Sequence, residues 1–236
     1  MEIQIAAAKV NKYAVSESGD TLEVIERPKG GLSVVLADGQ TSGRGAKAVS
    51  MLVVRKVISL LAEGVRDGAA ARAASDSLYT ERRGKVSSTL NIASIDLETK
   101  TIVLTRNNPS PTFICQGEQL DRLETDSSPI GIARDIRPVI SEIALQPGLT
   151  IIIYTDGLTH SGKRSGQKMD IGTAIHAMLD DQDPSPQEIA DSLLAHAVHL
   201  DDNRPADDIS VVAIKVTSEG KDKVRRMSVH LPIGPS

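Results

Sequence analysis

Short segments of alternating apolar and polar residues, joined by turn-forming residues, are the feature that most constrains how this chain folds. Alternation with a period of two is typical of β-strands that bury one face. Seven such segments occur, at 3–10, 21–25, 32–37, 87–96, 101–106, 112–116 and 139–145. Turns such as Ser18-Gly19-Asp20 separate them. Because these connections have hairpin length, they favour antiparallel pairing over repeated β-α-β crossovers.

Helical patterns interrupt the strands in pairs. Apolar residues recur at helical spacing in two early segments and two late ones, at 46–61, about 68–80, about 169–179 and 186–200. The segment at 150–154 is apolar on both faces, which predicts a central, buried strand, and a last strand is predicted at 208–216. This order predicts an α+β fold in which two mainly antiparallel sheets pack on each other with helices outside.

Composition and charge exclude several classes of function. The formal charge is −4, from 27 basic and 31 acidic residues, and aromatic residues make up 2%. The chain therefore lacks the basic excess and the aromatic platforms that nucleic-acid binding uses. The single cysteine, Cys115, excludes an internal disulfide and lies in an apolar run, which favours a buried thiol over a nucleophile. No apolar run reaches the roughly 20 residues of a membrane span, and no secretory signal begins the sequence, so we expect a cytoplasmic protein.

Acidic residues occur where predicted strands begin or end, beside small or turn-forming residues. They are Asp20, Asp38, Asp156 and the pair Asp207-Asp208. Strand ends are rigid mounts, and an aspartate followed by glycine leaves the backbone carbonyl accessible as a further oxygen ligand. Carboxylate and carbonyl oxygens suit Mg²⁺ or Mn²⁺. A single Asp-Gly pair is more often simple turn chemistry. Four such positions leave a divalent metal site and a set of ordinary turns as open alternatives.

The loop after Asp38 contains three glycines and leads into the first long helix. Its glycines are not spaced as in nucleotide-binding loops, so we do not expect a nucleotide site. Arg44, beside this loop, has the guanidinium that binds phosphate in a bidentate manner. The alternative is an ordinary exposed helix residue.

Four motifs in series resemble those of the metal-dependent serine/threonine phosphatases of the protein phosphatase 2C (PP2C) class, and within it the bacterial stage II sporulation E type. The motifs are Gly19-Asp20, Ala37-Asp38-Gly39, Tyr154-Thr155-Asp156-Gly157 and Asp207-Asp208-Ile209-Ser210. The resemblance extends from about Tyr13 to Val216 and implies an α-β-β-α sandwich. We therefore expect a phosphatase domain at 1–217 and a flexible basic tail at 218–236.

The resemblance also implies roles for five residues. Asp38 would bridge two Mn²⁺ or Mg²⁺ ions, and Asp156 and Asp207 would complete one site. The Gly39 carbonyl, with Asp20 directly or through water, would serve the other. Asp38, Asp156 and Asp207 are the implied catalytic residues, because water activated by the ions would attack the phosphorus of phosphoserine or phosphothreonine.

The sequence departs from the pattern of this class at several positions. Gln40-Thr41 replaces an apolar residue and a glycine, which puts the conformation of the loop beside the metals in question. His160 stands where a glutamate is often found, and Leu149 where an aspartate is common. Because every implied metal-binding aspartate is present, an active enzyme is expected.

The first candidate aspartate is residue 20, from which we expect a stand-alone domain. Such a domain resembles the feedback phosphatases of the bacterial stressosome. The resemblance implies that its substrates and partners are phosphorylated STAS-domain proteins, scaffold and antagonist, of general stress signalling. Two alternatives stay open. One is a phosphatase of a phosphorylated anti-sigma-factor antagonist, and the other is a catalytically silent STAS-binding module of the same fold.

Overall fold

The computed structural model describes residues 1–181, 183–218, 222 and 224–232. In this part of the chain the strands are β1 (Glu2–Val10), β2 (Asp20–Glu26), β3 (Leu32–Gly39), β4 (Ser88–Asp96), β5 (Thr101–Asn107), β6 (Thr112–Gln116), β7 (Gln119–Leu123), β8 (Val139–Ala144), β9 (Leu149–Tyr154) and β10 (Ile209–Thr217). The helices are α1 (Gly43–Ala62), α2 (Asp67–Arg82), α3 (Asp156–His160), α4 (Ile171–Asp181) and α5 (Pro186–Leu200).

The strands form two five-stranded sheets in which all neighbouring strands of the described residues pair antiparallel. The first sheet has the order β1-β10-β9-β6-β7, and the second has the order β2-β3-β4-β5-β8. The strand predicted to be central, β9, lies between β10 and β6, and each of its six residues is buried. That prediction is confirmed.

Three apolar layers hold the sheets and helices together. Between the sheets pack aliphatic residues that include Leu36, Ile151 and Ile214. Helices α1 and α2 cover the outer face of the second sheet, whereas α4 and α5 cover the first. The predicted α-β-β-α arrangement is therefore confirmed.

Two short elements lie outside the sequence-based prediction. Strand β7 pairs with β6 at the edge of the first sheet, and three of its five residues are exposed, so its apolar pattern is weak. Helix α3 is a single turn directly after β9, too short to show a helical period. It matters nonetheless, because it carries Asp156.

The described residues of the predicted tail, 218, 222 and 224–232, form no helix or strand. Arg225 lies beside the β2–β3 turn, where its Nη1 is 2.6 Å from Glu26 Oε1 and its Nη2 donates to the Gly30 carbonyl at 2.9 Å. The domain boundary and the flexibility of the tail stay predictions. Within the described residues, no helix combines the length and the apolar character needed to cross a membrane.

Candidate metal centre

The hairpin of β2 and β3 places Asp20 and Asp38 directly opposite each other. Strand β3 is a stiff support, because residues 33–37 before Asp38 are all buried. Gly39 follows at the point where the strand end presses on α1. A Cβ added to Gly39 would lie 2.0 Å from the carbonyl oxygen of Ala46. Only glycine allows this approach, which fixes Asp38 against the first turn of the helix.

The first sheet supplies Asp156 and Asp207. Asp156 begins α3 just after β9, and Asp207 lies two residues before β10. Because β9 and β10 pair, with Tyr154 opposite Val211, these two chain segments meet. Asp156, His160 and Asp207 each offer one ligand atom, and these atoms all lie within 4.8 Å of one another. The two sheets thus bring the four implied aspartates to one end of the sandwich.

Asp20 connects the two sheets through its carboxylate. Its side chain is fully buried, and Oδ2 accepts hydrogen bonds from Thr155 Oγ1 at 2.9 Å and from Ser210 Oγ at 2.6 Å. Oδ1 is buried with no hydrogen-bond partner. A buried carboxylate oxygen without a partner is costly unless a cation or a donor satisfies it. This atom is therefore the clearest sign that the site is built to hold a cation.

The raised pKa values of the clustered carboxyl groups also fit a cation site. Burial raises the pKa of Asp38 to about 9, with further contributions from the charges of Asp20 and Asp156. Burial also raises the pKa of Asp20 to about 6, against the opposing effect of the Ser210 and Thr155 hydrogen bonds, and it raises the pKa of Asp207. Crowded carboxylates of this kind are all ionised at neutral pH only beside positive charge. The donor set is oxygen-rich and acidic, which fits Mg²⁺ or Mn²⁺.

Two lysines contact Asp20 at its backbone carbonyl rather than at its carboxylate. Lys9 Nζ and Lys47 Nζ both donate to the backbone carbonyl of Asp20, at 2.7 and 2.8 Å. Burial, and secondarily the charge of Lys47, lowers the pKa of Lys9. The ammonium groups thus hold the start of β2 and leave the Asp20 carboxylate facing the cluster.

The neighbours Asp207 and Asp208 have different surroundings. Asp208 is buried, and its two oxygens accept from the backbone N–H groups of Lys12 at 2.9 Å and Gly19 at 2.8 Å. It ties the β1–β2 loop to the start of β10. Asp207 is half-buried and contributes its carboxylate to the cluster with Asp156. The structure therefore separates a structural aspartate from a candidate ligand.

The Gln40-Thr41 departure has a visible consequence in the loop. Thr41 has a φ of 79°, in the left-handed region that favours glycine and is rare for a β-branched residue. Gln40 holds the loop to the start of β4, because its Oε1 accepts from the Ser87 N–H at 2.9 Å. The loop keeps a conformation suited to glycine while carrying a threonine.

Arg44 and Cys115 have simpler surroundings. Arg44 is exposed in the first turn of α1 and takes part in no hydrogen bond or ion pair among the described residues. Its role toward phosphate stays a prediction.

Cys115 is buried in β6, and burial raises the pKa of its thiol to about 12. Both observations agree with a core residue rather than a nucleophile.

Three residues of the site were not predicted from the sequence to take part in it. Thr155 and Ser210 stand inside quoted motifs, but nothing in the sequence shows that both hydroxyls converge on Asp20. His160 is noted there only as a departure, although its spacing of four residues from Asp156 on a short helix is a signal that both side chains share a face.

Comparison with known proteins places the chain in a family. The family described as "Stage II sporulation protein E (SpoIIE)" matches residues 28–217. Stage II sporulation protein E of Bacillus subtilis (strain 168) is 23% identical over 214 residues, which cover 91% of this chain and 26% of that protein. The protein of the same name from Priestia megaterium is 24% identical over 200 residues, covering 84% and 34%. The chain spans about a quarter to a third of the length of these curated relatives.

Solved structures share the fold. The PP2C phosphatase domain of SpoIIE from Bacillus subtilis, solved with a fragment of its regulatory domain, has a TM-score of 0.79 at 23% identity, covering 92% of this chain and 63% of that one. RsbX in complex with magnesium has a TM-score of 0.70 at 18% identity, covering 91% and 96%. The catalytic domain of the phosphatase PstP with two manganese ions has a TM-score of 0.71 at 16% identity, covering 92% and 99%.

The family match begins after Asp20, so the place of Asp20 at the carboxylate cluster is known from the structure and not from that match. The matched segment nevertheless includes Asp38, Asp156 and Asp207 and most of the chain. Together, the match and the shared sandwich establish that the chain belongs to the SpoIIE family and has the fold of a PP2C phosphatase domain.

Proposed function

We propose that this chain is a metal-dependent protein phosphatase that removes phosphate from phosphoserine and phosphothreonine with two divalent ions, Mn²⁺ or Mg²⁺. The observation that carries the proposal is the convergence of Asp20, Asp38, Asp156 and Asp207 from both sheets on one end of the sandwich. A binding module has no need to bury like charges together, since their mutual repulsion destabilises the fold. A phosphatase needs them to hold cations.

Some residues of the site would bind the cations, and others hold those ligands in position. Asp38 stands between Asp20, opposite it on β2, and Asp156, whose charge reaches it from the other sheet. Asp38 would therefore bridge two ions, of which one would be held by Asp156 and Asp207 and the other by Asp20 with the Gly39 carbonyl. When bound, divalent ions at such a site lower the pKa of water and neutralise charge that develops on phosphoryl oxygens.

The surrounding residues keep these ligands in place. The Thr155 and Ser210 hydroxyls fix Oδ2 of Asp20 and so direct Oδ1 into the site. Gly39 and Gly157 let the two strand ends approach their neighbours, since a Cβ on Gly157 would lie 2.0 Å from the Asp208 carbonyl oxygen. Arg44, exposed on the first turn of α1, would bind the phosphoryl group of the substrate through its guanidinium.

We propose phosphorylated STAS-domain proteins, scaffold and antagonist, as the substrates, in bacterial general stress signalling. This part rests on the sequence resemblance to stressosome feedback phosphatases. The likeness to RsbX, which covers nearly all of both chains, is one of fold. A phosphorylated anti-sigma-factor antagonist is the alternative substrate, and silent binding of a STAS protein is the alternative function.

The test measures phosphate release from a phosphorylated STAS-domain scaffold and from a phosphorylated anti-sigma-factor antagonist, each with Mn²⁺, with Mg²⁺ and with chelator. The variant is Asp38→Ala, and Asp76→Ala, an exposed aspartate on α2, is the matched control. We expect metal-dependent release that Asp38→Ala abolishes and Asp76→Ala leaves intact. Release from the antagonist alone selects the alternative substrate. Binding of the scaffold without release in any metal rejects the enzyme and selects the silent module.

A further inference from the structure

His160 occupies a position beside the carboxylates that neither the sequence motifs nor the proposed ligand set uses. It ends the single turn of α3, four residues after Asp156, so the two side chains lie on the same face of the turn. Its ring, Asp156 and Asp207 form a group of three ligand atoms within 4.8 Å of one another, the one such group found among the described residues.

The distance between His160 and Asp156 is longer than a hydrogen bond and is compatible with two ligands of one ion. His160 Nδ1 lies 3.7 Å from Asp156 Oδ2, which is too long for a hydrogen bond. In an octahedral shell with bonds of about 2.1 Å, two ligand atoms lie between about 3 Å apart, when adjacent, and about 4.2 Å apart, when opposite. The observed separation falls in that interval.

A second histidine in the same chain shows what a simple surface pair looks like. His176 and Asp180 on α4 have the same spacing of four residues, but His176 Nδ1 lies 2.7 Å from Asp180 Oδ2. That pair closes a direct hydrogen bond at a half-exposed helix surface. His160 does not close one, and Asp207, from the start of the neighbouring strand, completes its surroundings.

We infer that His160 is a nitrogen ligand of the divalent-ion site and that it makes the site favour Mn²⁺ over Mg²⁺. The inference rests on the proposed function, whose metal site it refines. Mg²⁺ is a hard ion that binds oxygen and gives up its waters reluctantly. Mn²⁺ stands first in the Irving–Williams order of divalent transition metals and, as a softer ion, accepts an imidazole nitrogen more readily than Mg²⁺ does. An imidazole in place of a carboxylate also removes a negative charge that would help Mg²⁺ as much as Mn²⁺.

The test has a spectroscopic and a thermodynamic readout, neither of which requires turnover. Pulsed electron paramagnetic resonance of protein-bound Mn²⁺ detects coupling to a directly coordinated imidazole nitrogen. Calorimetric titration with Mn²⁺ and with Mg²⁺ gives the ratio of the two dissociation constants. The variants are His160→Gln and His160→Glu, with His176→Gln as the matched control.

We expect nitrogen coupling in the wild type and in His176→Gln, and its loss in His160→Gln. The preference for Mn²⁺ over Mg²⁺ should fall by about tenfold or more in His160→Gln, as for the loss of a metal-site residue. His160→Glu should bind Mg²⁺ more tightly than the wild type does, because it restores an oxygen ligand and a negative charge. If His160→Gln fails to fold, the wild-type spectrum and His160→Glu still decide the question.

The outcomes separate this inference from the proposed function. Phosphate release with Mn²⁺, accompanied by no nitrogen coupling and by an unchanged metal preference in His160→Glu, overturns the role of His160 and leaves the phosphatase standing. Nitrogen coupling that disappears in His160→Gln, in a protein that releases phosphate from no phosphoprotein in either metal, supports the ligand and overturns the phosphatase.

Discussion

The inter-sheet core and the carboxylate cluster are built on the same strands but have opposite chemistry. Leu22 and Leu36 face the core from β2 and β3. Asp20 lies two positions before Leu22, and Asp38 lies two positions after Leu36. Side chains two apart on a strand share a face, so the aliphatic row inside the sandwich ends in a row of acids. On β10, Val212 and Ser210 repeat the change from apolar to polar.

This comparison shows how one fold serves stability and function separately. The aliphatic rows remove apolar surface from water and hold the sheets together. Without bound cations, the acidic row at the end of these strands lowers the stability of the fold, because it buries acidic groups together and leaves Asp20 Oδ1 without a partner. Substitutions in the two regions should therefore have opposite signatures in stability and activity.

The largest expected effect is that of Asp38→Asn on catalysis. Loss of the bridging carboxylate should lower metal-dependent phosphate release by about 1,000-fold or more, since one residue serves both ions. In chelator, the same variant should melt at or above the temperature of the wild type, because a neutral amide replaces a buried carboxyl that its acidic neighbours make costly to ionise. Phosphatase assays and thermal melts check both. A variant that loses activity by unfolding would contradict the assigned role.

In the aliphatic row the signature should be reversed. Ile151→Ala should lower the free energy of unfolding by about 2 to 5 kcal/mol, because it leaves a cavity between the sheets. Below its melting temperature, the variant should keep its metal affinity and its turnover per folded molecule. Denaturant titration and activity at low temperature measure the two quantities. A loss of turnover in fully folded protein would show that the two regions are coupled.

The adjacent residues Asp207 and Asp208 allow a candidate metal ligand and a structural aspartate to be compared directly. Asp208→Ala should lower the free energy of unfolding by about 2 to 4 kcal/mol, because the buried N–H of Gly19 and the partly buried N–H of Lys12 lose their acceptor. Asp207→Ala should instead weaken metal binding, with a smaller effect on stability in chelator. Parallel denaturant and calorimetric titrations distinguish them, and equal effects of both variants on metal affinity would argue against a structural role for Asp208.

The pH dependence of stability should reveal the acidic row directly. The folded-state pKa of Asp38 is raised to about 9 and that of Asp20 to about 6, so the folded protein binds more protons than the unfolded chain between about pH 4 and pH 9. In chelator, stability should therefore fall as the pH rises through this window, by several degrees in melting temperature. Saturating Mn²⁺ should reduce or reverse the slope. If Mn²⁺ left the slope unchanged, these carboxylates would not be the residues that bind the metal.

The smallest expected effect concerns the loop between the two regions. Thr41→Gly should raise the free energy of unfolding by about 0.5 to 1 kcal/mol, because the relief of a positive φ outweighs the greater freedom of glycine in the unfolded chain. Thr41→Ala keeps a Cβ and is the matched control, for which we expect no gain. Equal stability of both variants in denaturant titrations would indicate that the loop is unstrained.

Local patterns were sufficient to predict the α+β class and the central place of β9. Four of its six residues are aliphatic, and Ile151, Ile152 and Ile153 place apolar side chains on both faces, which only a strand covered on both faces requires. The same patterns did not predict β7 or α3, because an exposed edge strand and a single helical turn carry little periodicity.

By itself, the sequence determined where acids occur along the chain, at strand ends and beside glycines, because those preferences are local. Only the tertiary structure decided which of them meet. The pairing of β9 with β10 and the stacking of two sheets bring together residues from about 50 to about 190 positions apart. Asp207 thereby joins Asp156, the Asp208 carboxylate accepts from backbone N–H groups, and Thr155 and Ser210 converge on Asp20. Convergence of this kind depends on long-range packing, which no local pattern encodes.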